Sequence, residues 1–169
     1  MSAEISPCGQ YRYTLTRRPL SPYPDRGTAV FCMLNPSTAD ATLDDPTIRR
    51  CRGFADRWGC NGITVVNLYA LRSTDPRALW AHTDPVGEAN NYWLRAVARD
   101  CGTVVCAWGA HAREDRVREA VAIFQSVGAD LRCLGVTKAG APRHPLYVRG
   151  DQPLLPWQPQ QPTQPAEGE

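Results

Sequence analysis

The chain has 169 residues, of which 43% are apolar, and 19 basic against 17 acidic side chains leave it a net charge of +2. That length suggests one domain with room for a proper core, and the composition excludes a fibre or a wholly disordered chain. No apolar run approaches the roughly 18 residues that a membrane span needs, so no membrane partner is expected.

The opening MSAEISPCGQ lacks the basic-then-apolar pattern of a secretory leader, and the expected location is the cytoplasm. QYRYTLTRR alternates and predicts a short first strand, a hairpin arm or an edge. PLSPYPDRG is a Pro-rich connector. The continuous apolar run at 28–34 predicts a strand covered on both faces. In 45–59, Ile48, Cys51, Phe54, Ala55 and Trp58 recur at helical spacing, and Gly59 suits a helix end. Further strands are predicted at 62–71, 103–108 and 130–136, with helices at 86–100 and 113–128. The segment after 136 reads as a loop, and QPQQPTQPAEGE at the end is low-complexity.

Apolar strands alternating with helices predict an α/β domain over 1–150, with α/β/α layers about a mostly parallel sheet of about four strands. Residues 151–169 are expected to be a disordered Pro/Gln-rich tail. Seven cysteines form no C-x-x-C pair, and Cys32, Cys106 and Cys133 fall inside strand-like runs, as small hydrophobes do. The positive charge lies before Gly150, since from there on no Lys or Arg occurs beside three acids. That balance is compatible with an anionic partner.

In an open parallel sheet, ligands bind outside the carboxyl ends of the strands. Those ends carry Asn35-Pro36-Ser37-Thr38, then Asn67 with Tyr69 and Arg72, then Trp108-Gly109-Ala110-His111, and last Thr137-Lys138 with Arg143-His144-Pro145. The amino ends are plainer, so one site on one edge is expected. Each residue also has a structural reading. Ser37 and Thr38 suit a turn or a helix cap, and Asp44-Asp45-Pro46 suits a helix start. Asn67 reads equally as a satisfied core amide, and His111 as a surface residue at a helix start. His144, in a loop rich in Gly and Pro, is the histidine that favours a functional role. His, Cys and acidic residues show no metal-ligand spacing, and no cofactor is expected.

MLNPS, ITVVNLYAL, VVCAWGAHA and RHPLYV, in this order, resemble segments of the uracil-DNA glycosylase superfamily across roughly 28–150. The resemblance implies that Asn35 handles the attacking water, that His144 serves the base oxygen O2 and that Asn67 reads the pyrimidine edge. Asp44 or Asp45 would lend negative charge near the sugar cation. Pro36, Ser37, Tyr69, Trp108 and Gly109 would shape the substrate pocket, and Arg72, Lys138, Arg143 and Arg149 would meet DNA phosphates. Met33-Leu34 stand where these glycosylases commonly have Gly, and Leu146-Tyr147 replace a Ser-rich continuation. The implied protein is a monomeric glycosylase for a modified pyrimidine in DNA, serving repair or defence against phage. Three other expectations stand beside it: a protein that handles free nucleotides, a non-catalytic DNA-binding module, and a thiol enzyme using Cys32. LNPSTADATLDDPTIRRC with NLYALRSTDP also resembles a small bacterial and phage family known as a domain of unknown function.

Overall fold

Every residue of the strands Ala29–Met33 (β3) and Ile63–Asn67 (β4) is buried. Successive side chains of a strand point to opposite faces, so runs this apolar require helices on both sides. A computed structural model describes residues 2–18, 27–37 and 44–159 and shows that arrangement. Thr38, the connector at 19–26 and the chain from 160 onward lie outside the described residues.

Among the described residues, seven strands form one mixed sheet in the order β1-β2-β4-β3-β5-β6-β7. Thr103–Cys106 is β5 and Asp130–Cys133 is β6. Together with β3 and β4 they make a four-stranded parallel core. Arg12–Arg17 (β2) pairs antiparallel with β4, and Ser2–Ile5 (β1) pairs antiparallel with β2. Leu155–Pro156 (β7) pairs antiparallel with β6. The sheet is therefore larger and more mixed than the expected four mostly parallel strands. The additions are short antiparallel edge strands with little apolar signal: β1 is mostly exposed, and β7 has two residues.

Four α-helices among the described residues cover the sheet. Pro46–Arg57 (α1) packs Ile48, Cys51, Phe54 and Ala55 against Phe31, Met33, Val65 and Val105 on one face. Pro76–Ala81 (α2), Asn90–Cys101 (α3) and Glu114–Ser126 (α4) cover the other face, where Leu79, Leu94 and Phe124 meet Val30, Val66 and Val104. The sequence pattern did not predict α2. Its start signal is Asp75, which caps the helix by accepting from the Arg77 amide at 2.9 Å. The predicted helix at 86–100 begins four residues late, at Asn90, a fully buried residue whose Nδ2 donates to the carbonyls of Asn67 and Leu68 at 3.0 Å each. None of the described helices is long and apolar enough to cross a membrane.

The strand order creates the feature that matters for function. The chain leaves β3 through α1 toward β4 on one side, and leaves β5 through α4 toward β6 on the other. Neighbouring parallel strands whose exits diverge leave a crevice at their carboxyl ends, where no helix can close the gap.

The expected tail is partly built into the fold. Trp157 is only 7% exposed, crosses the Trp108 ring edge-on at 5.2 Å, and donates its backbone N–H to Leu131 O at 2.9 Å. Trp157→Ala is expected to cost about 3 kcal/mol of stability through lost burial and the void left behind. Urea denaturation monitored by circular dichroism reads this directly, and an unchanged midpoint would remove residue 157 from the core.

Candidate functional site

The crevice opens into a cavity of about 550 Å³, within the range of small-molecule sites. The segments after β3 and β5 form two of its walls, through Leu34, Asn35 and Ser37, and through Trp108, Gly109 and His111. The start of α1 supplies Asp45 and Ile48, and the loop after β6 supplies Arg143, His144 and Tyr147. Arg12, from β2, completes the wall. The cavity lies at the carboxyl edge, where one site is expected.

Asn35 is half-buried and donates its Nδ2 to Ser73 O at 2.9 Å and to Pro36 O at 3.1 Å. Both partners are carbonyls, so the atom facing them has to be the nitrogen. Its carbonyl oxygen is thereby left for whatever enters the cavity. Pro36 is buried, and its carbonyl also accepts from the Ser73 amide at 3.0 Å. Pro36 therefore fixes the turn and is not among the residues lining the cavity.

Asp45 combines both readings of its segment. It is the N-cap of α1, with Oδ1 accepting from the Ile48 amide at 2.8 Å, and it lines the cavity. Its Oδ2 accepts from Ser37 Oγ at 2.9 Å. The result is a carboxylate held in place by the helix it starts. Asp44, one residue earlier, has a different role. It accepts from the fully buried Arg17 Nε at 2.8 Å and from Arg52, and it does not line the cavity. Burial works against its charge, but the hydrogen bonds from Arg17 and Arg52 outweigh it and bring its pKa below the usual value. Asp44 ties β2 to α1, and the expectation that it bears on the chemistry is corrected.

His144 begins the short 3-10 turn Pro145–Tyr147, and its Nδ1 accepts from the Leu146 amide at 3.3 Å. A neutral imidazole whose Nδ1 accepts carries its proton on Nε2. Burial lowers the pKa of His144, and the carboxylate of Asp45 partly opposes that shift. His144 is therefore a neutral donor near pH 7. Gly109 has a left-handed φ of +76°, which turns the chain after β5 and lets its amide reach Pro142 O at 2.9 Å. That bond joins the walls after β5 and β6.

Several expected site residues lie elsewhere. Asn67 is 2% exposed and is not among the lining residues. Its Nδ2 is buried without an acceptor among the described residues, so it does not present an edge to a ligand. Tyr69 is buried against Trp80, and its hydroxyl accepts weakly from the Arg113 amide at 3.4 Å. It lines a separate cavity of about 240 Å³. Arg72 donates to Gly9 O at 3.2 Å and is not in the main wall. Lys138 is exposed outside the cavity, and the exposed Arg149 pairs with Asp151 at 3.0 Å. Cys32 is fully buried, and burial pushes its thiol up to about 12, with Arg116 opposing, which works against a thiolate nucleophile at neutral pH.

Arg12 and Tyr147 are among the wall residues that the sequence reading did not single out. Arg12 is 4% exposed, and its pKa falls to about 10, chiefly through burial and then through repulsion from Arg72, with Asp45 opposing. Its place in an alternating strand gives no sign of burial, because only the pairing of β1 on one side and β4 on the other makes β2 an inner strand. Tyr147 is 78% exposed at the mouth, and its ring leans on His144 at 5.7 Å. Among the described residues, no group of three or more His, Cys, Asp or Glu is arranged to hold a metal ion.

The model of a family described as a protein of unknown function (DUF1643) matches residues 12–146. That span contains every cavity residue named above except Tyr147. It bears out the second of the two resemblances. No curated protein and no solved structure matches the chain.

Two outcomes follow from the carboxylates. Asp44→Asn is expected to cost about 3 kcal/mol, because it leaves Arg17 buried beside a neutral amide. A carboxylate with a lowered folded pKa stabilises the fold above its unfolded value, near 3.8, and loses that contribution as pH falls through the lower folded value. The difference between wild type and Asp44→Asn in urea titrations should therefore be constant near neutrality and shrink below about pH 4. Asp45→Asn keeps a capping side chain but removes the charge that favours the imidazolium. His144 should then titrate lower still in an NMR pH series, and an upward shift would contradict this electrostatic account.

Proposed function

This chain belongs to that family, and we propose from its cavity that it is a DNA glycosylase-like hydrolase. On this reading it cleaves the N-glycosidic bond of a modified pyrimidine flipped out of DNA. One observation carries the reading. A hydrogen-bond acceptor fixed at Asn35 and a neutral donor fixed at His144 share one cavity at the switch point of the sheet. The resemblance to the uracil-DNA glycosylase superfamily assigns roles to these same two residues.

Hydrolysis needs both groups. Water adds to the sugar C1′ while the C1′–N1 bond breaks; that bond's electron pair leaves with the base, and the proton that the water sheds passes through solvent to the departing base anion. The Asn35 carbonyl oxygen accepts a hydrogen bond from the water and aims its lone pair at C1′. Nε2–H of His144 donates to O2 of the base as negative charge gathers there. Asp45 lies in the same wall with both carboxylate oxygens already accepting hydrogen bonds. It therefore acts as a fixed negative charge beside the sugar cation and not as a mobile base. Leu34, Ile48 and Trp108 supply apolar wall for the extruded base. Asn67 has no part in this scheme, and Ser37, Thr47 and Thr137 are among the neutral hydrogen-bonding side chains left in the wall to meet the base edge. The chemistry calls for no metal.

Arg12 favours a second reading. A buried guanidinium in the cavity wall suits the phosphate of a free nucleotide, and that ligand would need no DNA.

The test is an alkaline-cleavage assay on DNAs carrying uracil, hydroxymethyluracil, hydroxymethylcytosine or its glucosylated form, and on modified phage genomes. Cleavage of one substrate is expected, with the rate falling at least about a hundredfold in Asn35→Ala and His144→Ala. An Asn35→Ala enzyme as fast as wild type would sink the assigned chemistry. Silence on every DNA, together with a thermal shift caused by a free nucleotide and lost in Arg12→Met, would transfer the site to the second reading.

A further inference from the structure

The wall that carries His144 continues outward into a feature that the hydrolysis itself does not use. Leu146 and Tyr147, 43% and 78% exposed, follow His144 at the cavity mouth, which Tyr147 lines, and Val136, 45% exposed, precedes the wall residue Thr137. Large apolar side chains left in water together, at the mouth of a site, mark a contact surface. We propose that residues 136–149 form a stacking platform for an unpaired base of single-stranded DNA, with Tyr147 as its face. The proposal rests on the DNA reading of the cavity above.

The platform is built, not loose. Arg50 of α1 reaches under the turn and donates to Pro145 O at 3.3 Å and to Val148 O. Its guanidinium in turn rests over the Phe54 ring at 5.4 Å. From the side, His144 holds the Leu146 amide through Nδ1 and the Tyr147 amide through its own carbonyl at 3.0 Å. With the backbone satisfied from beneath, Leu146 and Tyr147 are left pointing outward. Holding an aromatic ring in water at a fixed place loses burial energy, and a base that stacks on the ring recovers it.

Charge decides between one strand and two. Lys138 and Arg143 are exposed on this stretch and make no ion pair among the described residues. Arg143 uses its Nε on Val136 O at 3.0 Å, which leaves the outer guanidinium nitrogens toward solvent. Arg149 is occupied by Asp151. Arg143 shares the cavity wall with Tyr147, and Lys138 follows the wall residue Thr137, so two cations make a short footprint that matches about two phosphates of one strand. A duplex hides its base faces inside the stack and leaves the ring nothing to stack on.

The experiment is fluorescence anisotropy of the full chain with an unmodified labelled oligodeoxynucleotide, single-stranded or annealed, across a salt series. The single strand should bind at least about tenfold more tightly than the duplex, with log K falling against log salt at a slope of about −1.4. Tyr147→Ala should weaken single-strand binding about tenfold, while Tyr147→Phe keeps it, because the ring face stacks and the hydroxyl does not. Lys138→Ala should flatten the slope by about 0.7. Tyr92→Ala, at another exposed tyrosine on α3, should change nothing. Duplex binding as tight as single-strand binding, or a Tyr147→Ala protein that binds like wild type, would overturn the platform. The platform and the catalytic reading fail separately. Single-strand binding with this pattern but no base release leaves the platform standing, whereas base release with an unaffected Tyr147→Ala protein removes the platform alone.

Discussion

The fold turns on the pairing of β3 with β5. These strands lie side by side in parallel, with Phe31 opposite Val105 and Cys32 opposite Cys106, yet their chains depart in opposite directions. Two strands joined in sequence would be bridged by one crossover helix that covers their ends. Here each is followed by a helix that leads away, on opposite faces of the sheet. The gap cannot be packed by regular structure, and polar groups at the strand ends stay within reach of a ligand. Asn35, Trp108-Gly109 and the loop of His144 are where they are because of that topological constraint.

Adjacent residues in this constrained region divide the work. Asp44 sits between Arg17 and Arg52, and so locks a buried cation of the sheet to the helix that walls the cavity. Asp45 starts the same helix and faces the cavity. A helix start makes this economical, because its free N–H groups hold a carboxylate in place without neutralising it. Pro46 at the first helical position needs no N–H partner there. The helix that buries Phe54 also carries Arg50, which pins the turn of His144. One helix of twelve residues thus connects core packing to both polar ends of the site.

Much of this was legible in the sequence, and the gaps have physical causes. Strands β3 to β6 and helices α1, α3 and α4 announce themselves through continuous apolar runs and helical spacing, because burial on both faces leaves no freedom at those positions. The carboxyl-end rule then found Asn35, Ser37, Trp108, Gly109, Arg143 and His144. It misplaced Asn67, because it reports where a side chain starts and not which way it points. Asn67 ends β4 on the expected edge, but it is sealed inside, its carbonyl held by Asn90 from twenty-three residues away. Arg12 failed for the opposite reason. Its strand reads as an edge, and only the pairing of β1 outside it makes it an inner strand. Trp157 was hidden by its neighbours: Pro and Gln dominate the composition there, while a single large ring carries the burial.

The electrostatics of the cavity bear on what kind of ligand suits it. Burial presses Arg12 and His144 toward their neutral forms, and Asp45 pulls both toward their charged forms. For Arg12 the pull suffices, since a pKa near 10 leaves it cationic at neutral pH. For His144 it does not, and the imidazole stays neutral with a donor on Nε2. The cavity wall therefore holds one carboxylate, Asp45, two guanidiniums, Arg12 and Arg143, and a neutral donor. A site built only to hold a stable anion gains from every cation it can place and gains nothing from a carboxylate in its wall. Opposite fixed charges suit a ligand whose own charge separates as it reacts, because each end of the developing dipole then meets a partner placed before the reaction begins. The proposed reaction, in which a sugar turns cationic as its base turns anionic, offers such a ligand.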